Sequence, residues 1–88
     1  MDFEFYRNFI TVAETGNLTT ASKKLALAQP ALSAQIKTLE HYYGAKLIQT
    51  ARGKRQLTLT EAGEAFLGKA RQICHTEETI PFRYAELQ

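Results

Sequence analysis

"SKKLALAQPALSAQIKTLE", residues 22–40, decides the fold. Apolar and small residues recur in it at helical spacing, the rhythm breaks once at Gln29-Pro30, and its sole carboxylate is Glu40 at the very end. Pro30 has no backbone N–H to donate and is excluded from helix interiors, yet at the first helical position that N–H would have no partner and the fixed φ suits the turn. A helix therefore begins at Pro30. Leu32, Ile36, Leu39 and Tyr43 follow at spacings of four, three and four, and Gly44 behind them tolerates the left-handed conformation that closes a helix. The spacing predicts a helix over 30–43.

Upstream, Thr19 is placed to cap a shorter helix over 19–26, because its side-chain oxygen can accept from an otherwise unpartnered N–H; Ala21, Leu25 and Ala26 form the inner face. Ahead of it, Phe5, Phe9, Val12 and Ala13 give one apolar side to a helix over 3–15, with Asp2 as cap and Gly16 as terminator. After Gly44 the period changes. Leu47–Thr50 and Gln56–Leu59 read as two short strands joined by the loop Ala51-Arg52-Gly53-Lys54-Arg55, a β-hairpin with a basic tip. Thr60 then caps a last helix whose inner side is Ala62, Phe66, Ala70 and Ile73 with Leu67 beside it. Gly63 and Gly68 lower its intrinsic stability by about 1 kcal/mol each relative to Ala, and allow another backbone to come close. Pro81 is expected to end or kink it.

A short helix, a turn of about three residues and a second, steeply crossing helix make a helix-turn-helix, whose second helix fits a DNA major groove. Ser22 and Ala26 supply the small residues for close approach, and Leu25, Leu27, Leu32 and Ile36 the shared core. The remaining face of the 30–43 helix, with Gln29, Ala31, Ser33, Ala34, Gln35, Lys37 and Thr38, is short, polar or cationic. A carboxylate there would be repelled by phosphate rails on either side. The basic hairpin adds a wing, since Arg52, Lys54 and Arg55 can contact the DNA backbone or enter an adjoining minor groove. A polar outer face is also what any surface helix shows, so the wing and the helices have to be taken together.

Charge and composition agree. The 88 residues carry a net charge of only +2, but residues 17–60 hold Lys23, Lys24, Lys37, Lys46, Arg52, Lys54 and Arg55 against the single acid Glu40. With 44% hydrophobic residues the chain is one small domain with little surplus core, which disfavours a buried catalytic cleft. No apolar run approaches the roughly 18 residues of a membrane span, the N-terminus lacks the shape of a signal peptide, and the reading is a cytoplasmic protein with no membrane partner. The single Cys74 excludes an internal disulfide framework, and His41 and His75 have no clustered ligands, so no metal is expected. Nor do they have a nucleophile beside them, which argues against an enzyme. A winged helix that binds a partner protein instead of DNA is the closer rival, to be separated by salt dependence.

The run "NLTTASKKLALAQPALSAQIKTLEHYYGAKLIQTARGKRQLTLTEAGEAFL", residues 17–67, resembles the N-terminal DNA-binding domain of LysR-type transcriptional regulators, and Phe3–Gly16 is similar to that family's first helix. The specific parts are "AQPALSAQI", "LE", "YYGAKLI" and "LTLTEAG" in the family's order. The resemblance implies a mainly α fold: a winged helix-turn-helix of three helices and a small β-hairpin wing over 1–59, then a long linker helix over 60–88 that pairs with its counterpart in a homodimer. It implies sequence-specific binding of double-stranded DNA at an interrupted palindrome by a bacterial regulator. It also implies a continuation into a small-molecule-sensing domain, whose co-inducer the sequence does not name; such regulators are commonly tetramers at full length. No cofactor is expected in these residues.

By position, Gln29, Pro30 and Ser33 match residues at the start of the recognition helix that approach bases or phosphates, and Lys37 matches a backbone-contacting position. Arg52 and Arg55, with Lys54 between them, resemble the wing contacts. Thr19 and Thr20 bond phosphate or serve only as caps. Ala34 stands where many relatives have Arg, leaving an apolar touch on a thymine methyl. For the dimer, Phe66, Leu67, Ala70, Ile73 and Cys74 offer more apolar surface than so small a body covers.

Overall fold

Phe9 and Val12, one helical turn apart, are both fully buried and fix the inner side of α1 (Phe3–Thr15). The computed structural model describes residues 3–50 and 56–86, with side-chain surroundings through residue 75. The order is α1, α2 (Leu18–Leu25), α3 (Gln29–Tyr43), β1 (Ile48–Thr50), β2 (Leu57–Leu59) and α4 (Glu61–Glu86). This is the predicted winged helix-turn-helix and long final helix. Asp2, the expected cap of α1, lies outside the described residues.

Gly16 takes φ +65°, donates its N–H to the Val12 carbonyl at 2.9 Å and so ends α1 as expected. The cap of α2 differs from expectation. Asn17, not Thr19, holds the extended cap conformation, and its Oδ1 accepts from the Thr20 N–H at 3.0 Å. The helix accordingly starts at Leu18 and closes at Leu25. Ala26 follows in the left-handed region, φ 55° and ψ 41°, where its Cβ crowds the backbone, so it belongs to the turn and is exposed rather than part of an inner face. Leu27 N–H to Ser22 carbonyl, 2.9 Å, completes the stop. Ala21 and Ser22 are the buried residues of α2, small enough to let the helices approach.

α3 begins one residue earlier than Pro30 implies, at Gln29, with Ala28 in the cap position and no side-chain cap. Leu32, Ile36 and Leu39 are buried as the stripe predicts. Tyr43 is not; it is 40% exposed and lies as a lid, its ring 5.0 Å from that of Phe66 and its hydroxyl 2.7 Å from that of Tyr6. That hydrogen bond, with a smaller contribution from burial, raises the Tyr43 phenol above its ordinary value. Gln35, predicted outward, instead accepts at its Oε1 from the Nδ2 of buried Asn8 at 2.7 Å, joining α1 to α3.

β1 and β2 pair antiparallel with Ile48 opposite Leu59 and Thr50 opposite Leu57. The pair is stitched to the α1–α2 turn by Leu57 N–H to Gly16 carbonyl, 2.9 Å, and an Asn17–Gln56 bridge. Thr60 caps α4 as predicted, accepting from the Gly63 N–H at 2.9 Å. Gly63 is required: a Cβ there would sit 1.9 Å from the Leu47 carbonyl oxygen. Gly68 has open space around it. Phe66 packs among Tyr6, Phe9 and Tyr43, with ring centroids 4.9–5.7 Å apart. Together with Ala70 it joins the core of the first three helices. α4 runs through Pro81 to Glu86; the proline leaves one backbone carbonyl without its N–H partner, and the helix carries that gap instead of ending there.

Candidate nucleic-acid interface

α2, the turn 26–28 and α3 present one outward ridge. Thr19, Thr20, Lys23 and Lys24 of α2, and Gln29, Pro30, Ala31, Ala34, Lys37 and Thr38 of α3, are all exposed, with Ser33 half-buried at the edge. Every described residue that the sequence places at the DNA-facing surface, apart from Gln35, therefore lies on this side or at its margin. Arg52, Lys54 and Arg55 lie outside the described residues. The inner side of the same helix is occupied by Leu32, Ile36 and Leu39, so its outward residues keep a fixed orientation.

Local hydrogen bonds narrow what each group offers. Thr19 Oγ1 donates to Gln29 Oε1 at 3.2 Å, tying the start of α2 to the start of α3. The Gln29 NH₂ is left directed to other acceptors, and its oxygen retains a second lone pair. Thr19 is thus more than a surface hydroxyl: it holds the side chain at the head of the ridge. Thr38 Oγ1 donates back to the Ala34 carbonyl at 3.0 Å, which commits its proton within the helix.

Glu40, the single acid of the basic segment, is engaged elsewhere. Its Oε2 accepts from the Leu47 N–H at 2.8 Å and from the Ile48 N–H at 3.4 Å, bracing the start of β1 against α3. Beside it a half-open cleft of about 170 Å³ separates α3 from β1, with Ser33, Lys37, Lys46, Gln49 and Thr50 among its walls. Lys46, Gln49 and Thr50 have no assigned role in the sequence reading. Lys46 belongs to the basic block, and the fold brings it to the same cleft as Lys37.

The residues expected at a dimer interface divide. Phe66, Ala70 and Cys74, at four-residue spacing along α4, are 6% exposed or less within the single chain, and Phe66 and Ala70 belong to the core shared with α1. They have almost no surface to give a partner. Leu67 and Ile73 are half-buried and keep some. Among the described residues no group of His, Cys, Asp and Glu is arranged to hold a metal, and no helix is long and apolar enough to cross a membrane.

An exposed polar ridge on the second helix of such a unit, flanked by a two-stranded wing, defines the class of winged helix-turn-helix domains. Residues 3–64 match the family model described as bacterial regulatory helix-turn-helix protein, lysR family, and the chain belongs to that family. It is 42% identical over 88 residues to the HTH-type transcriptional regulator BsdA of Bacillus subtilis (strain 168), covering 100% of this chain and 30% of that protein. The crystal structure of the CbnR DBD–DNA complex superposes with a TM-score of 0.91 at 36% identity, covering 99% of this chain and 98% of that one. The BenM DBD in complex with benA site 1 DNA gives 0.90 at 31% identity, with both chains covered completely at 100%. The chain spans 24–31% of the length of the curated relatives it matches.

Proposed function

We propose that this chain is the DNA-binding part of a longer LysR-type transcriptional regulator and binds double-stranded DNA sequence-specifically, with α3 in the major groove. The observation that carries this reading is the ridge itself: Gln29, Pro30, Ala34 and Lys37 face outward together, while the one nearby carboxylate is committed to backbone N–H groups. Gln29 is suited to a base edge, Ser33 to a base or phosphate, Ala34 to a thymine methyl, and Lys37 to the backbone. Thr19 and Thr20, at the start of α2, are suited to a backbone phosphate, and Arg52, Lys54 and Arg55 act from the wing on backbone or minor groove.

Two chains joined through α4 place two such ridges on an interrupted palindrome. Leu67 and Ile73 take part in that contact, whereas Phe66, Ala70 and Cys74 support it from beneath, buried within the single chain. The whole regulator works in the cytoplasm, carries a small-molecule-sensing part after α4, and is not an enzyme.

The test is selection of a site from genomic fragments, followed by titration of the selected duplex and a random one. Gln29→Ala or Ser33→Ala should cost about 1–3 kcal/mol on the selected site and little on random DNA. Equal losses on both would refute base readout.

A further inference from the structure

The cleft between α3 and β1 has features the ridge alone does not account for. Its walls include two lysines from different elements, Lys37 and Lys46, two hydroxyls, Ser33 and Thr50, and the Glu40 carboxylate, over a floor with Leu18, Ile36 and Ile48. Among the described residues neither lysine is paired with a carboxylate. The volume, about 170 Å³, equals that of about six waters at liquid density, enough for the oxygens of one phosphodiester. An apolar floor lowers the local dielectric and strengthens attraction between an anion and the lysines above it.

The backbone at Lys46 is pinned on both sides. The Thr60 hydroxyl donates to the Lys46 carbonyl, the Thr60 N–H to the Leu47 carbonyl at 3.0 Å, and Glu40 accepts the Leu47 N–H. Three bonds from two helical elements thus converge on a dipeptide whose only charged side chain is Lys46. A carboxylate in the wall of a polyanion site is normally unfavourable; here the Glu40 charge is spread onto the Leu47 and Ile48 N–H groups and it fixes the base of the cationic arm.

We propose that this cleft seats one phosphate of the bound DNA backbone between Lys37 and Lys46, and that Glu40 and Thr60 are positioning residues that hold Lys46 at its rim. The proposal rests on the DNA-binding reading above, and adds Lys46 and Thr50 to the contact surface. The phosphate lies where backbone running past the recognition helix meets the first strand of the wing. Contact there is independent of sequence and sets the depth of α3 in the groove.

The experiment titrates the full chain and its variants against a fluorescently labelled mixed-sequence duplex over a range of sodium chloride concentrations, with thermal melts to confirm folding. Lys46→Gln should weaken binding several-fold at low salt and make the slope of log K against log salt shallower by about 0.9, the share of one phosphate. Lys46→Arg should keep the slope. Glu40→Gln, which retains an acceptor and sheds the charge, should bind as well as the parent or more tightly. Glu40→Ala removes the same charge but also the brace, and should bind more weakly than Glu40→Gln. An unchanged slope in Lys46→Gln, or equal gains from both Glu40 variants, would overturn the cleft while leaving the DNA-binding reading intact. No salt-dependent binding by the parent chain would overturn both.

Discussion

Where α4 crosses α1, Phe66 sits among the rings of Tyr6, Phe9 and Tyr43 and the contact is mostly apolar area, with the exposed Arg71–Glu14 ion pair at 3.5 Å on its outside. Where α2 meets α3, small and aliphatic residues, Ala21, Ser22, Leu25 and Leu32, join the core and one directed hydrogen bond, Thr19 to Gln29, ties the two helices; the Thr20 N–H to Asn17 bond caps α2 and Asn8 to Gln35 ties α1 to α3. Area is non-directional and gives stability without fixing angles closely. Hydrogen bonds fall off steeply with misalignment and so fix one crossing geometry. Both regions draw on one core, in which Leu32, Ile36 and Leu39 are buried with Phe9 and Phe66; what sets the second apart is the polar tie from Thr19 to Gln29 at the head of a ridge aimed outward. Such a tie suits a part that must present side chains in register to a rigid ligand.

Substitutions that separate the two regions should follow this order. Phe66→Ala, at the centre of the aromatic cluster, is expected to cost about 3–5 kcal/mol in a urea melt. A loss no larger than that of a surface change would mean α4 does not depend on this ring. Gly63→Ala forces a Cβ onto the Leu47 carbonyl and should cost about 1–3 kcal/mol. Normal stability there would show that β1 can slide away from α4. Asn17→Ala removes the α2 cap for about 1 kcal/mol, with Asn17→Ser restoring most of it; an equal loss from Thr19→Ala with none from Asn17→Ala would return the cap to Thr19. The smallest effect is a gain: Ala26→Gly relieves a left-handed alanine and should raise stability by about 0.5–1 kcal/mol, read as a higher Tm. A lower Tm would mean that the lost chain stiffness outweighs the strain.

The residue patterns that resolved well in the sequence were those with one physical solution. Pro30 leaves little choice about where α3 can start, Leu32, Ile36 and Leu39 define its buried side, and Gly44 and Thr60 mark its end and the next beginning. The α2 cap is expected at Thr19 and lies instead at Asn17, two residues earlier. Tertiary structure decides it: the turn at Gly16 and its bond from Leu57 place Asn17, not Thr19, at the helix mouth. Gln35 was assigned outward by its polarity, though it falls three residues after Leu32 and four before Leu39, on the edge of the buried stripe. Of the two outcomes expected at Pro81, an end to α4 is not found, since the helix runs on to Glu86.

The candidate site was legible as a ridge and not as a cleft. Exposure of Gln29, Ala34 and Lys37 follows from helical period alone. Glu40 as a brace and Lys46 as a neighbour of Lys37 depend on how β1 returns against α3, which no spacing within either segment encodes. Likewise the apolar side of α4 reads as surplus until Phe66 and Ala70 are seen in the core with α1 and α3, and Cys74 buried a turn further on.

The central claim is that the α2–α3 ridge, and not the aromatic α1–α4 face, meets DNA. Titration of uniformly ¹⁵N-labelled chain with a duplex selected from genomic fragments, followed by amide chemical-shift mapping, tests it most directly. The account predicts the largest shifts at Thr19, Gln29, Ser33, Lys37 and Lys46, with Phe9 and Phe66 nearly still. Shifts concentrated on α1 and α4 with the ridge silent would contradict it.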